Sequence, residues 1–405
     1  MAGSPRQKRA ALGGRGPRLA AMPKRVLILG STGSIGEQAL DVIAGSPALE
    51  VAGLSAGRNW ERLCVQARET GVREVALSDA EAAGRAAGEL EGTKVLAGEA
   101  GVRELIAAVE PDLVLNAIVG TAGLGPSIVA LTEGIDVALA NKESLVVGGE
   151  LVTTLAEASG ARILPVDSEH SALFQLLAAT ATGTVDRLVL TASGGPFRGR
   201  TDLDGITPAE ALAHPTWEMG GRISVDSATL MNKGLELIEA HHLFSVAYER
   251  IQVVVHPQSI VHAVADLNDG ASLAHLGLPD MRVPISYALH GGERLDVPVP
   301  TLDLTDLGEL TFERPDTEAF PCLRLAREAG RAGGTAPCVL NAADEVAVDA
   351  FLAERIPFTA IPKIVEDALE SVPAGPAGHF AELYEVDQRA RDRAGELITE
   401  LRVRA

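Results

Sequence analysis

A glycine-rich turn between a short apolar strand and an amphipathic helix is the feature that most constrains the fold. Residues 25–30 read Arg-Val-Leu-Ile-Leu-Gly, the turn Gly30-Ser-Thr-Gly-Ser-Ile-Gly36 follows, and residues 37–44 have helical spacing of their apolar side chains. The glycine spacing is G-x-x-G-x-x-G rather than G-x-G-x-x-G. Both spacings have the same physical effect, because glycines let the backbone approach a pyrophosphate that then lies at the helix N-terminus. The strand–turn–helix context therefore predicts a nucleotide-binding site.

The segment after the second predicted strand indicates which nucleotide is bound. Residues 51–55 form that strand, and it carries no acidic residue to bind the ribose hydroxyls of NAD. Instead Ala56-Gly-Arg-Asn59 follows, and Arg58 is placed where it could pair with a 2′-phosphate. This pattern favours NADP over NAD. The alternative is that Arg58 is an exposed loop arginine.

Strands and helices continue to alternate up to residue 166. Further strands are predicted near residues 74–77, 94–96, 112–119, 135–140 and 162–166, with helical stretches between them. This alternation is typical of a doubly wound parallel sheet, a Rossmann-like α/β domain. Ligands of such sheets bind at the carboxyl ends of the strands. Asn141, Lys142 and Glu143 follow one strand directly, so we expect them to face cofactor or substrate, although a surface turn is the competing interpretation.

The pattern of residues in the sequence changes twice after residue 166. Residues 167–290 contain both strand and helix patterns, as is typical of an α+β domain. Residues 291–316 are rich in proline and aspartate, which is typical of a linker. In residues 317–405 the apolar side chains have helical spacing. We therefore expect an NADPH-binding domain at 22–166, a catalytic domain at 167–290, a linker at 291–316 and a small helical domain at 317–405. Residues 1–21 are basic and are predicted to be a disordered extension.

Composition excludes several classes of protein. A formal net charge of −20 argues against a nucleic-acid-binding protein, since little offsets phosphate repulsion. No apolar run is long enough to span a membrane. Three scattered cysteines are too few for a disulfide framework, so a bacterial cytoplasm is the expected location. Plastid import through the basic extension is a minor alternative.

Three acidic residues predict a metal site. Asp167 and Glu169 are two apart at a strand end, so an extended backbone would point both carboxylates to one side. Glu236 would add a third oxygen ligand. Oxygen ligands of this kind suit Mg²⁺ or Mn²⁺ better than zinc. The competing interpretation is that the acids are simply solvated in a loop.

The segment Asp226-Ser-Ala-Thr-Leu-Met-Asn-Lys-Gly-Leu-Glu236 predicts a phosphate site beside that metal. We interpret it as the opening of a buried helix, where free backbone N–H groups favour anions. Ser227, Asn232 and Lys233 would contact the phosphate, and Ser193, which precedes two glycines, would add a hydroxyl at a backbone anion nest. The alternative is a capped core helix with an exposed ion pair between residues 233 and 236.

A loop with histidine, tryptophan and glycines is a candidate lid. His214-Pro-Thr-Trp-Glu-Met-Gly-Gly221 combines a titratable ring, an amphipathic aromatic side chain and flexible ends, which suits a loop that excludes water when it closes. His214, Trp217 and Met219 would form it. An ordinary loop whose Trp217 packs on the core is the alternative.

Taken in order, these segments resemble the 1-deoxy-D-xylulose 5-phosphate reductoisomerase family over roughly residues 25–365. The motifs that carry the resemblance are the glycine turn, Ala140-Asn-Lys-Glu-Ser-Leu145, Val166-Asp-Ser-Glu-His170, Ser193-Gly-Gly-Pro-Phe-Arg198, His214-Pro-Thr-Trp217, Asp226 to Glu236, His256-Pro-Gln-Ser259 and Leu278-Pro-Asp-Met-Arg282. Three positions depart from the expected pattern: Arg222 replaces a frequent Lys, Ala192 a Gly, and Asp344 the usual Asn.

The resemblance implies a homodimeric enzyme that uses NADPH and Mg²⁺ or Mn²⁺. It would rearrange 1-deoxy-D-xylulose 5-phosphate, by a retro-aldol/aldol or a 1,2-shift route, and reduce the product to 2-C-methyl-D-erythritol 4-phosphate for isoprenoid synthesis. The implied metal ligands are Asp167, Glu169 and Glu236, and the implied catalytic residues are these three with Lys142 and His214. The implied substrate-binding residues are Lys142, Ser168, Glu169, Ser193, His214, Ser227, Asn232, Lys233 and Glu236. The implied NADPH-binding residues are Thr32, Gly33, Ser34, Ile35, Gly57, Arg58, Asn59, Asn141, Glu143, Gly220 and Met281.

Two other functions are compatible with a predicted NADP site. A semialdehyde dehydrogenase would need a nucleophilic cysteine, and Cys64, Cys322 and Cys338 all lie outside the candidate site segments. A non-catalytic NADP-binding regulatory protein would bind the nucleotide but would not depend on a metal.

Overall fold

A computed structural model describes residues 22–217 and 219–404, so the predicted disordered extension at 1–21 lies outside the described residues. The N-terminal part is a parallel sheet with helices on both faces, as predicted. Its strands are β1 Lys24–Leu29, β2 Leu49–Ala56, β3 Glu74–Leu77, β4 Lys94–Ala97, β5 Leu113–Asn116, β6 Asp136–Leu139 and β7 Ile163–Pro165. The helices between them are α1 Ser34–Ala44, α2 Trp60–Thr70, α3 Ala80–Glu89, α4 Gly98–Val109, α5 Leu124–Thr132 and α6 Glu143–Ser159.

The strand order of this sheet is β4-β3-β2-β1-β5-β6-β7, and every pair is parallel. The order reverses between β1 and β5, which makes the crevice beyond their carboxyl ends the expected ligand site. The turn after β1 requires its glycines. Gly30 has φ +84°, and a Cβ there would lie 2.6 Å from the carbonyl oxygen of Ala117. A Cβ on Gly36 would lie 2.4 Å from the carbonyl oxygen of Gly30.

The central part has a second sheet with the order β11-β10-β8-β9. Only β8 and β9 pair in parallel, and β11 is an edge strand whose residues are mostly exposed. Its strands are β8 Val185–Ala192, β9 Ile251–Val255, β10 Val261–Leu267 and β11 Ser272–Leu276, and its helices are α7 Ser168–Ala178, α8 Pro208–Leu212, α9 Gly221–Ala228, α10 Met231–Phe244 and α11 Arg282–Leu289.

The segment 226–236 is not one helix opening, so that part of the sequence interpretation is wrong. Asp226 and Ser227 lie in the last turn of α9, and the next helix, α10, begins only at Met231. Leu230 breaks the helix because its backbone is left-handed, with φ +63°. The hydroxyl of Thr229 accepts a hydrogen bond from the Met231 amide across this break at 3.3 Å. Ser227 and Lys233 therefore reach the same place from two helices.

The predicted linker contains one short helix, α12 Leu304–Leu307. The C-terminal part is helical, with α13 Cys322–Ala332, α14 Ala336–Leu352, α15 Ile361–Ser371 and α16 Phe380–Arg404. Helix α14 packs against α9 and α6, so this part supports both neighbouring regions from behind. Helix α11 packs on α1 of the first domain, where Ile285 and Leu289 join its core. Over residues 22–217 and 219–404, no helix has the length and apolar character needed to cross a bilayer.

Candidate active site

A cleft of about 570 Å³ lies where the carboxyl edge of the first sheet faces the second domain. Parts of the chain that are distant in sequence line it. They are the start of α1 (Ser34, Ile35, Gln38), the start of α7 (Asp167, Ser168, Glu169), the end of β8 (Ala192, Ser193, Gly194), the lid segment (His214, Thr216, Trp217, Met219, Gly220), the two helices after it (Ile223, Ser227, Leu230, Asn232, Lys233) and Ser259, Pro279, Asp280 and Met281.

Three acids and two lysines form a charged wall at the cleft, in which Asp167, Glu169 and Lys233 line the cavity and Glu236 and Lys142 are buried behind them. Asp167 is the N-cap of α7, Glu169 lies in its first turn, and Glu236 lies in the second turn of α10. The Nζ of Lys142 is 3.0 Å from Asp167 Oδ2 and 3.5 Å from Glu236 Oε1. The Nζ of Lys233 is 2.8 Å from Glu169 Oε1 and also donates to Glu236 Oε2. Each lysine thus bridges two carboxylates, and the three predicted acids lie together.

The electrostatics of this wall fit a divalent cation. Burial, reinforced by Asp167, raises the pKa of Glu236 to about 7 against the pull of Lys233. Burial also acts to raise the pKa of Asp167, yet Lys142 and His170 hold it well below its usual value. Ligand atoms of Asp167, His170 and Glu236 lie within 4.8 Å of one another. Buried carboxylates that repel one another are relieved by a hard cation with oxygen ligands, so the residues present fit Mg²⁺ or Mn²⁺.

Glu169 is the one predicted ligand outside that close group. Its carboxylate is turned to Lys233 and to the hydroxyl of Ser168, which donates a short hydrogen bond to it. A side-chain rotation would be needed to bring Glu169 to a metal shared with Asp167 and Glu236.

His170 links the two sides of the metal site, a role that the sequence interpretation missed. Its ring is fully buried, with Nδ1 2.9 Å from Asp167 Oδ1 and Nε2 2.8 Å from the backbone oxygen of Glu236. Burial alone would lower the pKa of His170, but Glu239 and Asp167 raise it to about 9. Because both ring nitrogens face acceptors, His170 orients Asp167 and α10 and is not free to bind a metal. The position of His170 one turn after Asp167 was the only sequence signal for this role.

The predicted phosphate residues line one end of the cleft. Ser193 lies at the end of β8, Ser227 at the end of α9, and Asn232 and Lys233 in the first turn of α10. Asn232 is held by two of the charged residues: its Oδ1 accepts from Lys142 Nζ at 2.6 Å, and its Nδ2 donates to Glu236 Oε1 at 2.6 Å. Hydroxyl, amide and ammonium donors therefore converge here from three elements.

The candidate lid lies against this end of the cleft. The backbone N–H groups of Thr216 and Trp217 point to Nδ1 of His214 at 3.2 and 2.9 Å, so Nδ1 is the acceptor and Nε2 carries the proton. That Nε2 then donates to Ser193 Oγ at 2.9 Å. Burial lowers the pKa of His214, which favours this neutral ring. Trp217 is partly buried with its ring 6.5 Å from that of His262, and Met219 lines the cleft.

A second cleft of about 370 Å³ lies at the switch point of the parallel sheet. Gly33 and Gly57 line it, while Ser34 and Ile35 line the main cleft, so α1 begins between the two. Thr32 lies in the turn, and Asn59 caps α2 by accepting from Arg62 N at 3.2 Å. Arg58 is 88% exposed and its Nε is 3.2 Å from Asp79, an arrangement compatible with either interpretation of this arginine.

Five predicted NADPH residues line neither cleft, namely Thr32, Arg58, Asn59, Asn141 and Glu143, and the last two are buried. Asn141 and Glu143 are buried behind the turn after β5. Asn141 Nδ2 lies 2.7 Å from the carbonyl oxygen of Ile118, and Glu143 Oε1 accepts from the Gly120 amide at 2.9 Å. Their side chains shape the turn that borders the second cleft. The three cysteines are buried as well, and none lines the main cleft.

A doubly wound sheet with a glycine turn, joined to a second domain that supplies acids and an anion site, defines the class of two-domain dinucleotide-dependent oxidoreductases. Three family models match the chain in order. They are "1-deoxy-D-xylulose 5-phosphate reductoisomerase" over residues 26–149, its "C-terminal domain" over 163–244, and "DXP reductoisomerase C-terminal domain" over 276–393.

Two bacterial relatives carry the same name. The chain is 52% identical to the 1-deoxy-D-xylulose 5-phosphate reductoisomerase of Symbiobacterium thermophilum, covering 93% of this chain and 99% of that protein. It is 49% identical to the enzyme of Laribacter hongkongensis, covering 91% and 97%. The chain belongs to the 1-deoxy-D-xylulose 5-phosphate reductoisomerase family.

Solved structures agree with this assignment. The chain is similar to the Zymomonas mobilis reductoisomerase in complex with NADPH, at 40% identity and a TM-score of 0.85, covering 93% of this chain and 99% of that one. It is also similar to a reductoisomerase in complex with NADPH, fosmidomycin and magnesium, at 38% identity and a TM-score of 0.88, with the same coverage. The predicted fold class is therefore confirmed.

Proposed function

We propose that the main cleft converts 1-deoxy-D-xylulose 5-phosphate to 2-C-methyl-D-erythritol 4-phosphate with NADPH and Mg²⁺ or Mn²⁺, and that the residues named above carry the reaction. The convergence of Asp167, Glu169 and Glu236 beside a cluster of anion-binding donors is the observation that supports these assignments. A sugar phosphate needs both features, a cation for its oxygens and donors for its phosphate.

Asp167, Glu169 and Glu236 would hold the divalent cation. Its chemistry when bound is that of a Lewis acid at a substrate carbonyl oxygen. Lys142 supports these ligands: although burial lowers its pKa, Asp167 and Glu236 raise it, so the side chain is a cation at neutral pH. It lies within 3.5 Å of two of the acids and orients them.

The phosphate end of the substrate would be anchored by Ser193, Ser227, Asn232 and Lys233. Glu169 and Glu236 raise the pKa of Lys233 in spite of its burial, so it remains an ammonium donor. Anchoring a remote phosphate uses binding energy to position the reacting carbons, which helps the chemical step. Ser168, which hydrogen-bonds Glu169, would contact the substrate beside the metal ligands.

The lid residues His214, Trp217 and Met219 would exclude water from the bound substrate. The neutral His214 ring already donates to Ser193, so substrate binding would exchange this contact for one with the substrate. Exclusion of water protects a reactive aldehyde and strengthens the electrostatic contacts around it.

NADPH would bind across the glycine turn and deliver hydride into the main cleft. Thr32, Gly33, Ser34 and Ile35 would approach the pyrophosphate at the N-terminus of α1. The cofactor contacts beyond the turn would be Gly57, Arg58 and Asn59 on the adenosine side and Gly220 and Met281 on the nicotinamide side. Asn141 and Glu143 would act through the backbone that they brace.

The edge strand β11 would pair with a second copy of the chain to form a homodimer. Leu273 and Leu276 are each 38% exposed on this strand, and an uncovered apolar edge is normally paired or protected. We further propose domain boundaries at residues 166, 290 and 316, a cytoplasmic location compatible with three free buried cysteines, and no nucleic-acid or membrane partner.

The direct test is NADPH oxidation, followed by absorbance, with 1-deoxy-D-xylulose 5-phosphate and Mg²⁺ or Mn²⁺. Turnover that EDTA abolishes and added metal restores is expected. Absence of turnover would reject the activity. NADPH binding that is indifferent to EDTA, without turnover, would instead favour a regulatory NADP-binding protein.

A further inference from the structure

Arg222 is the centre of a buried charged cluster that lies behind the cleft. It is the second residue of α9 and follows the lid segment directly. Its Nη1 is 2.7 Å from Glu345 and 3.5 Å from Glu143, its Nε is 3.6 Å from Asp226, and its Nη2 is 3.7 Å from Asp344. One guanidinium therefore faces four carboxyl groups from α6, α9 and α14.

Two of these acids are well supplied with hydrogen-bond donors. Glu345 accepts from the backbone amide of Thr121 at 2.9 Å and from Arg391 at 2.5 Å. Glu143 accepts from Gly120 N at 2.9 Å and from Asn141 Nδ2 at 2.8 Å. Such donors stabilise a buried carboxylate as an anion.

The other two acids lack such donors. Both carboxyl oxygens of Asp344 and Oδ1 of Asp226 are buried, and no N–H or hydroxyl group of the described residues donates to them. Asp344 is 0% exposed and Asp226 is 4% exposed. A buried ionised carboxylate without donors is costly, and a guanidinium at 3.6 to 3.7 Å that is closer to Glu345 compensates only part of that cost.

The Oδ2 atoms of Asp226 and Asp344 face neighbouring nitrogens of one guanidinium, Nε and Nη2 of Arg222, so the two carboxyl groups lie on the same edge of that group, where a proton between them would relieve their repulsion. Burial, reinforced by Asp226, raises the pKa of Asp344 well above its usual value. Burial also raises the pKa of Asp226, against the pull of Arg222. A proton bound here would belong to the pair rather than to one residue. The other titratable groups that act on the pair are Arg222 on α9, Lys142 at the N-cap of α6, Glu143 on α6, Cys322 on α13, and Glu345 on α14.

We propose that Asp226 and Asp344 share one proton at neutral pH, and that this pair and Arg222 form a positioning cluster that fixes α9, and with it Ser227, against α14. The functional half of this proposal depends on the assigned role of Ser227 in binding the substrate phosphate. The pair replaces two repelling anions by one hydrogen-bonded anion that a single arginine can balance.

The packing around Ser227 explains why a small movement of α9 would matter. Its carbonyl oxygen lies so close to the loop after Ser193 that a Cβ on Gly195 would approach it to 2.7 Å. The two serines proposed to bind the phosphate are thus held at a spacing that the position of α9 determines. Asp226, the residue before Ser227, connects this spacing to α14.

The first test is the pH dependence of the melting temperature for the native protein and for Asp344→Asn. An acid that keeps its proton in the folded state but ionises in the unfolded chain stabilises the fold fully at low pH, and this contribution is lost as pH rises toward the folded-state pKa. An amide supplies the same hydrogen bond without titrating. The Tm of Asp344→Asn relative to the native protein should therefore rise between about pH 5 and about pH 8, by roughly 3 °C or more.

If Asp344 is instead ionised and held by Arg222, the difference in melting temperature between Asp344→Asn and the native protein should have the opposite sign. Asp344→Asn would then lower Tm, with the largest loss near pH 8, and this result would overturn the proposal. Failure of Asp344→Asn to fold would overturn it too. This measurement needs no substrate, so it stands or falls independently of the catalytic assignment.

The second test separates positioning from general stability. Asp344→Leu and Asp344→Ala cannot hydrogen-bond Asp226, whereas Asp344→Asn can. With the holoenzyme at neutral pH, Asp344→Asn should keep the native KM for 1-deoxy-D-xylulose 5-phosphate. Asp344→Leu and Asp344→Ala should raise this KM about tenfold, because loss of one hydrogen bond to the phosphate has an effect of that size. The KM for NADPH should stay unchanged in all three variants.

Each outcome of the second test decides whether the cluster positions α9. Folded Leu and Ala variants with the native substrate KM would refute the positioning role. If neither variant folds while Asp344→Asn does, the hydrogen bond itself holds α9 to α14, as proposed.

Discussion

Replacing Glu236 with glutamine tests the charged wall of the cleft most severely among single substitutions. Glu236 accepts from Asn232 at 2.6 Å and from Lys142 at 3.5 Å, and it is bonded to Lys233 through Oε2. Glutamine keeps the volume but turns an NH₂ group toward an ammonium or toward the metal. Two charge-assisted contacts are lost, each worth about 1.5–3 kcal/mol.

The combined loss of about 3–6 kcal/mol corresponds to a decrease in turnover of roughly 10²- to 10⁴-fold. The affinity for NADPH should change by no more than a few-fold, because Glu236 does not line the nucleotide cleft. The assay is NADPH oxidation at saturating substrate across a Mg²⁺ titration, together with NADPH binding followed by fluorescence.

Glu249→Gln is the matched control. This glutamate is in the same domain but is exposed, and its ion-pair partner among the described residues is Arg331 at 3.0 Å, so its replacement should leave turnover unchanged. Native turnover and metal dependence in Glu236→Gln would refute the assigned role of the acid. A loss of NADPH affinity as large as the loss of turnover would show that the Glu236→Gln variant is generally disordered.

Three further predictions concern the glycine turn, the nucleotide and the dimer. Gly36→Ala places a Cβ 2.4 Å from a backbone oxygen, so it should lower stability by about 1–3 kcal/mol and weaken NADPH binding; unchanged Tm and NADPH affinity would contradict the turn geometry. Arg58→Gln should weaken NADPH about tenfold and leave NADH unaffected, measured by titration of both; equal effects on the two cofactors would mean that Arg58 is only a loop residue. Leu276→Glu should give a monomer in light scattering where the native protein is a dimer, and a persistent dimer would place the interface elsewhere.

Local pattern was sufficient to predict the parallel sheet. Buried strands such as residues 25–30 and 135–140 are short apolar runs bounded by turn residues, and the helices between them have regular apolar spacing. The observed strands β1 and β6 begin and end within one residue of these ranges. The glycine turn was predictable for the same reason, because the glycines that it requires lie close together in the sequence.

The break between α9 and α10 could not be predicted in the same way. Leucine in a left-handed conformation is unfavourable, so the identity of Leu230 gives no signal of its positive φ. The conformation is imposed by tertiary packing, since Leu230 and Met231 are both buried in the core. The sequence therefore predicted that Ser227 and Lys233 act together but not that they belong to different helices.

The partners of buried charges also depend on tertiary contacts. His170 was part of a recognised motif, but its contact with the backbone of Glu236 joins residues far apart in the chain. Arg222 is similar, because its partners lie on α6 and α14 as well as on α9. Asn141 was correctly placed at a strand end, yet its side chain turns inward to the loop at residues 118–120. Strand ends can be located from sequence, whereas side-chain directions at those ends depend on neighbours.

The most direct measurement is a crystal structure with Mn²⁺, NADPH and substrate, in which anomalous scattering locates the metal. We expect a single Mn²⁺ bound by carboxylate oxygens of Asp167, Glu169 and Glu236 at about 2.1–2.3 Å, with the substrate phosphate at Ser227 and Lys233. A metal peak away from these three acids, or a substrate phosphate at the opposite end of the cleft, would contradict it.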